Sequence, residues 1–87
     1  MQSVTITLTN TTGLHARPAA LFSRTAAGFQ AAVTVRKGDN SVDAKSILKL
    51  LSLGAAAGSV IVISATGPDE LEAVQALAAL VESNFPE

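Results

Sequence analysis

Val60-Ile61-Val62-Ile63 is β-branched at every position, with Gly58 just before it and Gly67-Pro68-Asp69 just after. Successive side chains of a strand point to opposite faces, so a run that is apolar on both faces belongs in the middle of a sheet. The rest of the chain must then supply strands for both of its sides. Val4, Ile6 and Leu8 alternate with Thr5, Thr7 and Thr9, the period of two expected of a strand with one buried face. Ala31 to Arg36 and Asn40 to Asp43 predict two short strands around the turn Lys37-Gly38-Asp39, with Val33, Val35 and Val42 as their apolar positions. These should form a hairpin.

Three helical segments separate the strands. Turn formers Asn10-Thr11-Thr12-Gly13 lead into Ala16 to Ala27, where Ala19, Phe22, Ala26 and the trailing Phe29 fall on one stripe and Gly28 is a good stop. Ser46 precedes the apolar cluster Ile47, Leu48, Leu50, Leu51 and Leu53, which predicts a short helix capped by Ser46 or a near neighbour and ended by Gly54. Residues 55–58 read as a loop or a frayed helix end. Pro68 stands in or just before the first turn of the last helix, with Asp69, Glu70 and Glu72 facing its positive end and Leu71, Val74, Leu77, Ala78 and Val81 as its buried stripe. The order is β-α-β-β-α-β-α, which predicts a two-layer α+β domain over residues 1–87: one sheet, helices on one face, and the other face rich in Thr and Ser and wet.

A chain of 87 residues holds one domain, since autonomous domains commonly run from about 50 to 250 residues. Hydrophobic residues make up 48%, drawn from Ala, Val, Leu and Ile with only three Phe, so the layers must pack closely. Cysteine is absent, which excludes a disulfide framework, a thiolate nucleophile and cysteine-bound zinc. No apolar run approaches the roughly 20 residues needed to span a bilayer, and Met1 to Thr9 lacks a signal-peptide pattern; a cytoplasmic protein without membrane insertion is expected. The formal net charge of −1 hides an asymmetry. All six cations (Arg17, Arg24, Arg36, Lys37, Lys45, Lys49) precede residue 50, and residues 50–87 carry five carboxylates and no cation. A basic side of this kind suits docking to an acidic protein surface.

Chemistry concentrates in Gly13-Leu14-His15-Ala16-Arg17-Pro18-Ala19. Pro18 has no amide hydrogen and is harmless only in the first turn of a helix, which sets the helix start near Ala16 and puts His15 at the cap. A helix start behaves as a partial positive charge, and the imidazole of His15 would offer a ring nitrogen there as a nucleophile. The backbone amides of Ala16 and Arg17 would donate to a phosphoryl group carried there, and Arg17 would add a charge-assisted contact worth about 1.5–3 kcal/mol. Gly13 lets the backbone approach closely. Taken singly, His15 reads as a polar cap on a surface turn and Arg17 as a solvated charge; their adjacency beside Pro18 gives the pair its value.

This heptad resembles the active-site signature of the HPr family, the histidine-containing phosphocarriers of the bacterial sugar phosphotransferase system. The likeness extends through Lys45-Ser46-Ile47, Ser52-Leu53-Gly54 and Ile63-Ser64-Ala65 to Gly67, and so covers essentially the whole chain. It implies an antiparallel four-stranded sheet covered on one face by three helices, an open-faced sandwich. It also implies that His15 takes phosphate on Nδ1 from Enzyme I and gives it to sugar-specific enzyme IIA domains, with Arg17 orienting the phosphate. No cofactor or metal is needed, and a monomer is expected. Ser46 matches the serine modified by HPr kinase/phosphorylase, although a plain capping serine is an equal reading. Phosphate there would bring about −1.5 to −2 charges to the basic side and oppose an acidic partner. Leu48 and Lys49 stand where the strongly regulated subgroup has Met and Gly. Arg24, Lys45, Ile47, Leu48, Lys49 and Leu51 are the expected docking residues, and among the leucines at least one should be exposed, because so short a helix cannot bury every side.

Other functions fit less well. An independent enzyme would need a second group to activate or protonate, and the chain has one His, no Cys and no acid near the active segment. A nucleic-acid binder using its open sheet would stack bases on strand aromatics, but Phe22, Phe29 and Phe85 fall outside the predicted strands. The serious alternative is a regulatory HPr-like protein, serving nitrogen or catabolite control through protein binding.

Overall fold

The computed structural model describes residues 1–9 and 13–83. The expected turn at Asn10, Thr11 and Thr12, and also Phe85 and Glu87, lie outside the described residues. Four strands, β1 (Gln2–Thr7), β2 (Ala32–Lys37), β3 (Asn40–Asp43) and β4 (Val60–Thr66), form one sheet in the order β1-β4-β2-β3. Every neighbouring pair is antiparallel. Three helices, α1 (Ala16–Ala27), α2 (Ile47–Ser52) and α3 (Glu70–Glu82), complete the β-α-β-β-α-β-α order. This is the open-faced two-layer sandwich that the sequence predicts.

Register explains why one face is covered. Val4, Ile63, Val35 and Val42 form a continuous rung across all four strands, with Ile6 opposite Ile61 and Val33 opposite Ala65 beside it. These side chains meet Ala19, Phe22, Ala26, Leu50, Val74, Leu77 and Val81 of the helices in a single core. Burying each large aliphatic side chain is worth about 1.5–3 kcal/mol. The opposite face carries the rungs Ser3, Ser64, Thr34, Asp43 and Thr5, Val62, Arg36, Ser41, and is the wet, hydroxyl-rich surface expected. Strand β4 is central, but it is not buried on both faces. Val60 is 54% exposed and Val62 half-buried, so the branched outer residues contribute strand preference rather than core.

The last helix differs in rotation from its predicted stripe. Leu71 is 47% exposed, Ala78 is only half-buried, and Ala73 takes an inward place with Val74, Leu77 and Val81. The cause lies in the turn before it. Asp69 stands at the N-cap, its carbonyl accepting from the Ala73 amide at 3.0 Å, but its carboxylate does not cap its own helix; its Oδ2 and Oδ1 accept from the amides of Gln30 and Ala31, each at 2.8 Å. The acid expected to face the helix start is thus drawn across to the α1–β2 connection, and it fixes how α3 leaves the turn. Glu70, in the first turn, accepts from the Gly67 amide through Oε1 at 3.1 Å. Gly67 is required for this approach, since a Cβ there would lie 2.6 Å from the Ala31 Cα.

The Gln30 amide, with help from the Ala31 amide and the Lys45 charge, holds the Asp69 carboxyl below the ordinary carboxylate value. A group depressed in the folded state contributes stability that is complete above its unfolded pKa and disappears as pH falls through the folded one. Asp69→Asn should therefore lower the urea midpoint at pH 6, and the gap from the parent should close on acidification below about pH 4. A gap unchanged from pH 6 to pH 3 would disprove the assignment.

Candidate functional site

Helix α1 begins as the Pro18 argument requires. His15 is the N-cap in an extended conformation (φ −80°, ψ −177°), its carbonyl accepts the first helical bond from Ala19 at 2.8 Å, and its side chain makes no capping bond. The imidazole is exposed, whereas Leu14 before it is 4% exposed and Pro18 and Ala19 after it are buried. One reactive side chain is thereby presented on a segment anchored on both sides. Ala16 and Arg17 occupy the first two helical positions, where amides have no acceptor within the helix, and Pro18 has no amide hydrogen to offer. The first turn contains no acidic residue, so nothing there opposes an incoming anion. Arg17 is exposed beside it.

The approach to His15 is fixed by main chain. Leu14 donates to the Ala55 carbonyl at 2.8 Å, and Gly13, at φ 63°, lies so close that a Cβ would fall 2.4 Å from the Ala55 oxygen. Gly13 is expected to let the backbone approach a carried phosphoryl group; its close approach here is to the main chain of Ala55, which the residue pattern does not mark. Its contact uses only backbone atoms, which leave no mark in a pattern of side chains.

Ser46 caps α2 as expected, its hydroxyl accepting from the Lys49 amide at 3.3 Å. Helix α2 packs against α1 and buries Leu50 while leaving Leu48 76%, Leu51 38% and Ile47 37% exposed. The exposed leucine expected from the length of the helix is present, with Lys49 exposed among these residues. Arg17 and Arg24 are separated by two helical turns and share a face of α1. Lys45 is placed differently from a free docking charge: it is half-buried, and its Nζ donates to the Phe29 carbonyl at 2.9 Å. Its own carbonyl accepts from Ser23 Oγ at 2.9 Å. Ser23 also escaped the sequence reading, although its spacing from Ala19 and Ala26 puts it within the buried stripe. Among the described residues no cluster of His, Asp or Glu could hold a metal ion, and no helix is long and apolar enough to cross a membrane.

The fold is thus an open-faced α+β sandwich that displays a lone histidine at the start of its first helix. The family described as PTS HPr component phosphorylation site matches residues 2–83. Phosphocarrier protein HPr of Vibrio cholerae is 46% identical over 77 residues, 88% of this chain and 91% of that protein. The crystal structure of HPr from Thermoanaerobacter tengcongensis superimposes with a TM-score of 0.97 at 52% identity, covering 100% of this chain and 98% of the other. The HPr-like protein Crh of Halalkalibacterium halodurans is 46% identical over 71 residues, 82% of this chain and 84% of that protein. The chain belongs to the HPr family.

Replacing Ser46 by Ala removes the cap of α2 and should cost about 0.5–1 kcal/mol, the lower part of the usual range because the bond is long. Urea unfolding of the two proteins measures this, and equal midpoints would show that the hydroxyl is not a stabilising cap.

Proposed function

We propose that the chain relays a phosphoryl group on His15 in the cytoplasm, taking it from Enzyme I and passing it to sugar-specific enzyme IIA domains. The observation that carries this reading is the exposed ring at the N-cap, beside two helix-start amides. In the accepting step the ring Nδ1 lone pair forms a bond to phosphorus as the donor's N–P bond breaks, and the donor nitrogen keeps that electron pair. The Ala16 and Arg17 amides and the Arg17 guanidinium receive the phosphoryl oxygens, which is positioning and electrostatics rather than acid–base chemistry. The donating step is the reverse, with the imidazole as leaving group. A cradle open to solvent suits a group that must leave again.

Arg24, Ile47, Leu48, Lys49 and Leu51 form the proposed docking set, and Lys45, its ammonium bonded to the Phe29 carbonyl, supports that surface from within the fold rather than as a direct contact. Exposed apolar residues on α2 beside cations on α1 fit a partner surface that is acidic around an apolar centre. Action as a monomer is part of this proposal. Ser46 is the proposed regulatory position, read by HPr kinase/phosphorylase. The likeness to Crh favours a second reading, a regulatory protein of nitrogen or catabolite control acting through protein binding. His15 supports the carrier reading over it, because control through Ser46 alone makes no use of a phosphoryl-accepting ring.

Incubation with Enzyme I and phosphoenolpyruvate should give an acid-labile phosphate adduct, absent from His15→Ala. Arg17→Ala should form it about 10- to 150-fold more slowly, the equivalent of one charge-assisted contact. An acid-stable adduct, or one that survives the loss of His15, would overturn the relay. Separately, Ser46→Asp should weaken binding to Enzyme I more at low salt than at high salt, and an affinity insensitive to the change would remove the electrostatic switch.

A further inference from the structure

The loop at residues 54–58 connects α2 to β4 and ends in two glycines, Gly54 (φ 66°) and Gly58 (φ 87°). It is anchored at both ends. Gly54 donates to the Leu51 carbonyl at 3.3 Å, closing α2, while Gly58 donates to the Leu8 carbonyl at 2.8 Å, just past β1. Ala55, 4% exposed, lies between these anchors, and its carbonyl takes the Leu14 amide. At Gly13 a Cβ would come within 2.4 Å of the Ala55 oxygen, 2.6 Å of the Ala56 carbonyl carbon and 2.7 Å of the Ala56 Cα. All three are backbone atoms, which cannot yield as a flexible side chain would. The end of the helix bearing the exposed Leu48 and Leu51 is therefore joined, through one stretch of main chain, to the residue immediately before His15.

We propose that the seating of Gly13 and Leu14 on Ala55 and Ala56 is a positioning device for phosphoryl transfer, fixing the place of the His15 ring relative to the surface of α2. The role requires no contact between Gly13 or the loop and the phosphoryl group. A partner docked on α2 finds the nucleophile where the loop holds it, and a small displacement of reacting groups costs rate without costing affinity. This rests on the carrier reading and adds to it the element that sets the geometry.

Two variants perturb the seat in different ways. Gly13→Ala inserts the colliding Cβ, whereas a chain synthesised with an ester in place of the Gly13–Leu14 amide deletes the donor to Ala55 and adds no bulk. Gly38→Ala is the control: Gly38 has nearly the same dihedral, φ 60°, but its Cβ would meet nothing within 4 Å. With Enzyme I as donor, both seat variants should lower the rate of phosphoryl transfer at saturating donor at least tenfold while binding to Enzyme I changes less than twofold. Gly38→Ala should leave rate and binding within twofold of the parent. Should Gly13→Ala fail to fold, the ester chain decides alone. Parental rates in the ester chain, or a fall in binding proportional to the fall in rate, would overturn the positioning role. An unmodified chain that accepts no phosphate fails the carrier reading instead, so the two failures are distinguishable.

Discussion

The antiparallel pairing of β1 with β4 is the constraint from which the site follows. Thr7 lies opposite Val60. The chain leaving β1 therefore runs past the chain entering β4, and Leu8 bonds both Ser59 and Gly58. This crossing brings the connection into α1 against the connection out of α2, which is how Leu14 reaches Ala55. Core burial drives the pairing: Val4 and Ile6 join Ile61 and Ile63 beneath the helices, and a one-residue slip would turn every one of them toward water. The placement of the only histidine is thus a consequence of strand register, although the ring makes no contribution to the core.

The three helix starts put the same physical opportunity to different uses. The Asp69 carboxylate turns from its own helix to tie the α1–β2 connection, the Ser46 hydroxyl closes its helix, and the His15 side chain does neither. Acids crowd the first turn of α3 and are absent from that of α1. A positive end left uncompensated is a cost to a helix, and here it coincides with the exposed imidazole of His15. Stability for α1 comes instead from its packed side, where Ala19, Phe22 and Ala26 are fully buried and the Ser23 hydroxyl finds the Lys45 carbonyl.

Much of this was legible in the residues. Period-two alternation located β1, Pro18 located the start of α1, Gly38 located the hairpin turn, and Ser46 located the cap of α2, because each is a local constraint with a local signature. What escaped was decided across the fold. Leu71 lost its expected inward place because Asp69 is held by Gln30 and Ala31, nearly forty residues away in sequence, and that tether sets the phase of α3. Val60 sits on the solvent side because the helices cover only one face. The role of Ala55 was invisible for a different reason: it is played by a carbonyl that every residue possesses.

The cations illustrate why a sequence-level charge asymmetry overstates the free charge of a surface. Lys45 gives its ammonium to the Phe29 carbonyl beyond the end of α1, and Lys37 gives its own to the Gly54 carbonyl at 3.0 Å. Both still contribute field, but a partner that recruited either as a direct contact would first have to break a hydrogen bond within the fold, at a net cost of about 1 kcal/mol or more. Arg17, Arg24 and Lys49 are exposed on α1 and α2, two helices that pack against each other. For those three, association requires only the loss of water and side-chain freedom. Direct docking contacts should therefore fall to the arginines and Lys49, while Lys45 acts chiefly by holding α2 in register with α1.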